Sequence, residues 1–183
     1  MKRRTRIFAA LVLAATATVA IASTNPIVGG KEMFPSKDII DNAINSADHT
    51  TLVAAVKAAD LVATLKGPGP FTVFAPTNAA FAKLPAGTVD TLLKPENKPT
   101  LTKVLTYHVV AGKVSSLELR KMIRDGQGMA TLKTVSGGTL TAMEKDGKIE
   151  LKDDKGDIST VTTANVFQSN GVIHVVDSVL LPN

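Results

Sequence analysis

The segment Gly67-Pro68-Gly69-Pro70-Phe71-Thr72-Val73-Phe74-Ala75-Pro76-Thr77-Asn78-Ala79-Ala80-Phe81 constrains the fold more than any other stretch of the chain. Its two Gly-Pro pairs impose a turn, because proline fixes φ while glycine accepts conformations closed to other residues. Phe71, Val73 and Ala75 then alternate with Thr72 and Phe74, which predicts a short strand. Pro76 ends it, and Thr77 is placed to cap a helix carrying Ala79, Ala80 and Phe81. Phe71, Thr72, Phe74, Pro76, Thr77, Asn78 and Phe81 are therefore expected to serve the scaffold. The block contains no obvious nucleophile, base or metal ligand, so function must be sought around it.

Upstream of this block the pattern is helical. Ser36 is placed to cap a helix through Ile39, Ile40, Ala43 and Ile44. Asp48 or Thr50 then starts a second, with Leu52, Val53, Val56, Ala59 and Leu61 at helical spacing. Downstream, Val89, Leu92 and Leu93 predict a short helix, and Pro99 suits the first turn of another through Leu101, Val104, Leu105 and His108. Ser115 and Glu118 form a capping-box pattern before Leu119, Met122 and Ile123. From Met129 the period changes to two. Strands are expected over 131–135, 139–144, 148–152, 158–166 and 172–181, each with one buried face. Asp146-Gly147 is a two-residue hairpin signal, and Lys155-Gly156 marks another turn. Helices early and antiparallel strands late define an α+β domain.

The N-terminus reads as an export signal. Lys2, Arg3, Arg4 and Arg6 precede an apolar run from Ile7 to Ile21, and Ala20-Ile21-Ala22 is a small-x-small pattern that places cleavage after Ala22. The run is short for a spanning helix, which needs about 20 residues. Residues 1–22 are thus expected to be removed, 23–35 to form a flexible leader, and 36–183 to form one domain. The full chain has 21 Lys+Arg and 16 Asp+Glu. The signal holds four of the basic residues, so the mature chain is nearly neutral and nucleic acid loses its electrostatic basis as a partner. There is no cysteine, which excludes disulfides, thiolate–zinc sites and a lipidated cysteine anchor. The protein is accordingly expected to be secreted or periplasmic, without a stable membrane anchor.

Few residues qualify for chemistry. The three histidines, His49, His108 and His174, show no metal-ligand spacing, and no Gly-x-Ser-x-Gly elbow occurs. His174 and Ser178 lie about 13 Å apart on one extended strand, too far to act together beside Asp177. His108 and His174 are expected half-buried and paired with backbone, and His49 on the surface. Met33, Met122, Met129 and Met143 could line an adaptable apolar surface. No metal, cofactor or enzymatic activity is expected.

Three blocks resemble fasciclin-like domains. They are the Phe71–Phe81 segment, Tyr107-His108-Val109-Val110, and the closing run from Ser169 to Pro182 that contains Gly171, His174 and Asp177. They stand in the family's order and span roughly residues 34–183. The resemblance implies a compact antiparallel β-sandwich or wedge flanked by several helices, mostly in the N-terminal half. It also implies a non-catalytic binding module for cell adhesion, with a cell-surface or matrix protein as partner. Tyr107, His108 and Asp177 match segments that the family associates with adhesion. A local physical reading instead makes Tyr107 and His108 a polar lock inside the core. Lys37-Asp38-Ile39-Ile40 resembles an adhesive Asp-Ile motif only loosely, and Arg124-Asp125-Gly126 is not Arg-Gly-Asp. Some fasciclin-like proteins bind pigments or lipids, so a small hydrophobic ligand is the alternative.

Overall fold

The computed structural model describes residues 25–183. The predicted export signal and its cleavage point lie outside the described residues. Helices α1 (Ile39–Asn45), α2 (Thr50–Ala58) and α3 (Val62–Leu65) precede strand β1 (Phe71–Pro76). Helices α4 (Asn78–Ala82), α5 (Thr88–Leu92) and α6 (Lys98–Tyr107) follow, then β2 (Val109–Ala111) and α7 (Ser116–Asp125). The remainder is strand: β3 (Met129–Lys133), β4 (Thr139–Lys145), β5 (Lys148–Lys152), β6 (Ile158–Gln168) and β7 (Gly171–Val176).

Local chemistry accounts for most element ends. The Thr77 hydroxyl accepts from the Ala80 amide at 3.1 Å and starts α4. At α7 both bonds of the capping box form: the Glu118 amide donates to Ser115 Oγ at 3.3 Å, and the Ser115 amide donates to Glu118 Oε2 at 2.7 Å. Asp146 and Gly147 turn β4 into β5, both at positive φ. Helix α1 departs from expectation. Asp38, not Ser36, caps it, accepting from the Asp41 amide at 2.8 Å.

The strands form one seven-stranded sheet in the order β2-β1-β7-β6-β5-β4-β3. It is antiparallel except for β1 and β7, which pair in parallel from Phe71–Gly171 to Pro76–Val176. The sheet curls until β2 meets the residue that follows β3 at a single bridge, Val110 to Thr134, with the Val135 amide donating to the Val109 carbonyl at 2.8 Å. The result is a nearly closed wedge. Strands β3, β4 and β5 alternate buried and exposed residues, as expected of one covered face. Strands β1 and β7 do not: β7 is buried throughout and β1 from its second residue.

The reason is that β1 and β7 separate two cores. Val73, Ala75, Ile173 and Val175 pack with α1, α2, α4 and α6. Phe74 and Val176, of the opposite parity, point into the curled sheet with Tyr107, Leu119, Leu140 and Leu151. Parallel strands covered on both faces carry continuous apolar runs, as Val172–Val176 nearly does.

Over 25–35, where a flexible leader was expected, the chain is tied to the domain at several points while much of it stays exposed. Asn25 exchanges two hydrogen bonds with the Phe167 backbone. Gly29 and Gly30, at φ 59° and 70°, turn Val28 back onto Lys31. A Cβ at Gly29 would lie 2.5 Å from Ser46 Oγ, so this turn sits directly against the end of α1. Val28 and Met33 are buried in the helical core.

Candidate functional site

Tyr107 and His108 sit where α6 ends and β2 begins. Both are buried, and neither reaches solvent through an exposed patch. The Tyr107 hydroxyl donates to the Thr139 carbonyl at 2.6 Å and accepts from the Asp154 amide at 2.9 Å. Burial pushes its pKa up to about 12. His108 Nε2 accepts from the Leu180 amide at 3.0 Å, which makes the Nδ1 atom the donor to the Val104 carbonyl at 2.8 Å. Burial lowers its pKa to about 4, so the ring is neutral at physiological pH.

The C-terminal segment is held by the same construction. Leu180 bonds to His108, and the Leu181 amide donates to Asp153 Oδ2 at 2.9 Å. Asp153 Oδ1 accepts from the amides of Lys155 and Asp157, at 3.0 and 2.9 Å, and so shapes the β5–β6 turn as well. Asp153 thus joins the turn and the tail, and nothing in its local sequence marks it out.

His174 is fully buried and stacks on Phe74, with ring centroids 5.6 Å apart. Its Nδ1 accepts from the Asn165 amide at 3.3 Å, and its Nε2 donates to the Val114 carbonyl at 2.9 Å. Burial lowers its pKa. His49, expected on the surface, is buried at 3 % exposure. Its Nδ1 shares a 2.8 Å hydrogen bond with Ser46 Oγ, and desolvation lowers its pKa against the opposing pull of the Ala75 carbonyl. The expectation failed because His49 closes a 3-10 turn, Ala47–His49, whose last residue points inward toward β1.

Asp177 stands apart from Tyr107 and His108 in its exposure. Its side chain is 38 % exposed. Its Oδ1 accepts from the Thr160 amide at 2.8 Å and from Ser178 Oγ at 3.1 Å, and Oδ2 faces Lys83 at 3.7 Å.

The remaining motif residues hold segments together. Thr72 Oγ1 donates to the Gly112 carbonyl at 2.7 Å and accepts from the Val114 amide at 2.8 Å. Asn78 Oδ1 accepts from the Thr51 amide at 2.9 Å and thereby caps α2, while its Nδ2 reaches the Ala47 carbonyl. A Cβ at Gly171 would fall 2.2 Å from the Phe71 carbonyl oxygen, so only glycine permits the β1–β7 approach. Asn170 was not singled out from sequence. Buried, it accepts from the Ile39 amide and donates to the carbonyls of Leu65 and Gly67. It fastens α1 and α3 to the start of β7. Asp38, Ile39 and Ile40 likewise serve the cap and the core, not a surface motif.

Two apolar features remain. A cavity of about 100 Å³ lies in the helical core, with Met33, Ile40, Ala43, Val53 and Val56 among its walls. An open groove lies beside the β2–β3 seam, lined by Ala111, Val114, Met122 and Val135 together with the polar Thr131, Lys133 and Thr134. The four methionines therefore do not share a surface: Met33 belongs to the cavity and Met122 to the groove. Among the described residues no three His, Asp or Glu side chains are grouped to hold a metal ion, and no helix is long and apolar enough to cross a membrane.

The sequence model of the fasciclin domain matches residues 47–182, from the 3-10 turn to the end of the C-terminal segment. The chain belongs to the fasciclin-domain family. It is 44 % identical to protein sll1483 of Synechocystis sp. over 95 % of this chain and 97 % of that protein. It is 35 % identical to immunogenic protein MPB70 of Mycobacterium bovis, covering 88 % of this chain and 78 % of the other. Cell surface glycolipoprotein MPB83 of the same species is 34 % identical, at 88 % and 68 % coverage. Among solved structures, a domain pair from the insect cell adhesion molecule fasciclin I superposes with a TM-score of 0.71 at 19 % identity. That match covers 80 % of this chain and about half, 51 %, of the two-domain chain. It shows that the curled sheet and its helices are the fasciclin fold.

Proposed function

We propose that this fasciclin domain is an exported, non-catalytic binding module that meets a cell-surface or matrix protein through noncovalent contacts. The groove beside the β2–β3 seam carries the proposal. There the rigid wedge leaves Val135 50 % exposed next to Met122 and Ala111, a small apolar surface with an adaptable methionine. The names of MPB83 and of the insect adhesion molecule support a surface role. Export is supported by the basic and apolar N-terminal residues and the Ala20-Ile21-Ala22 pattern. Tyr107 and His108 act here as internal locks that fix the seam, and Asp177 is the one of the three that can reach a partner. In a bead-adhesion assay on cells of the source organism, Val135→Asp should abolish attachment with the unfolding midpoint unchanged. Undiminished attachment by that variant would refute the groove as the contact.

The cavity in the helical core favours a second function, carriage of a small hydrophobic ligand. Its walls are mostly aliphatic, with Phe74, Ser46, His49 and His108 among them, the setting in which buried apolar space takes up an apolar molecule. Extraction of the purified protein with organic solvent, followed by mass spectrometry, would reveal a carried ligand in stoichiometric amount; a clean extract would argue against carriage.

A further inference from the structure

The helical cavity has a chemically distinct mouth. Val53 and Lys57 are one turn apart on α2 and both border it, as do Ile44 of α1 and Val62 of α3. Ile44 is 50 % exposed, so the apolar surface runs from the cavity out to solvent. Two lysines and no carboxylate border the cavity. Lys66 is already engaged, facing Asp41 at 2.6 Å and Asp38 at 3.6 Å. Lys57 makes no ion pair or side-chain hydrogen bond with another described residue. A mostly aliphatic interior, with Ser46, His49 and His108 as its polar members, therefore opens past one cation that is uncommitted among the described residues.

We infer that the cavity receives the tail end of a single-chain amphiphile whose anionic head pairs with Lys57 at the mouth. This rests on the carrier function proposed above and adds the ligand's chemical class. The volume limits what enters. At about 100 Å³ the space is smaller than the ~150 Å³ apolar cavity that admits benzene, so it holds only the end of an alkyl chain. The rest of the chain must cross the apolar mouth along Ile44, Val53 and Val62, which brings the head to the level of Lys57. A fatty carboxylate has this layout: each buried methylene gains about 0.8 kcal/mol, and the charged head stays hydrated beside an ammonium group. A bulky multi-ring molecule does not fit the interior, and a cation would meet Lys57 unfavourably.

The test titrates dodecanoate, below its micellar concentration, and dodecan-1-ol, below its solubility limit, into the purified full chain by isothermal calorimetry. Both should bind at one site, with dodecanoate about fivefold tighter, the upper end of what an exposed ion pair supplies. Lys57→Gln should bring dodecanoate down to the affinity of the alcohol. Ala43→Phe, at the cavity wall, should remove binding of both. Should that variant prove unstable, contacts from the ligand's terminal methyl group to Val56 in the wild-type protein, seen by nuclear Overhauser effects, replace it. Equal binding of acid and alcohol to the wild type, or a preference that survives Lys57→Gln, would overturn the head-group pairing and leave carriage standing. Binding of neither ligand would overturn both.

Discussion

Replacing His108 with glutamine should flatten the pH dependence of stability between pH 7 and pH 5. Burial holds the folded-state pKa near 4, against about 6.5 for a free imidazole. As the pH falls below 6.5 the unfolded chain takes up a proton that the folded chain refuses. Stability contributed by the neutral ring is therefore complete at neutral pH and is lost as the pH drops toward 4. The full loss is about 3 kcal/mol for a shift of this size, and about 2 kcal/mol is already gone at pH 5. His49 and His174 shift in the same direction, but they do so in both proteins, so the difference isolates His108. Urea unfolding at the two pH values measures it. Wild type should lose about 2 kcal/mol more than His108→Gln on going from pH 7 to pH 5. The variant should also start lower at pH 7, because the Leu180 amide and Val104 carbonyl lose well-placed partners. Parallel losses in the two proteins would refute the assignment of His108 as a buried neutral ring.

Tyr107→Phe removes a hydroxyl that serves both Thr139 and Asp154, and should cost about 2 kcal/mol in chemical denaturation with the fold retained. Gly171→Ala places a methyl group against the Phe71 carbonyl, and should abolish the cooperative thermal transition seen by circular dichroism. Asn78→Ala removes the cap of α2 and should lower stability by about 1 kcal/mol, checked by urea titration.

What could be read from sequence was local. Thr77, the Ser115–Glu118 box and Asp146-Gly147 carry their instructions within four residues, and each forms the predicted structure. The parallel β1–β7 pair joins residues about a hundred positions apart, and no local period encodes it. The same distance hid Asn170, whose partners lie at Ile39, Leu65 and Gly67. The sequence 25–35 looks like a leader because its glycines and two prolines read as loop. Its anchoring depends on Ser46 and Phe167, which composition cannot connect to it. For the candidate site, the motif residues were visible, and the local reading already put Tyr107 and His108 inside the core; the inward turn of His49 was not legible. Tyr107 and His108 turn inward because α6 ends against the C-terminal segment, and the cavity and the groove arise from packing between distant elements.

On the proposed function, the motif residues build the scaffold while apolar surface on it does the binding. Attachment of protein-coated beads to cells, compared for Val135→Asp and Tyr107→Phe at temperatures where both are fully folded, tests it directly. Val135→Asp should lose attachment and Tyr107→Phe should keep it. Attachment lost by Tyr107→Phe and kept by Val135→Asp would overturn this division of roles.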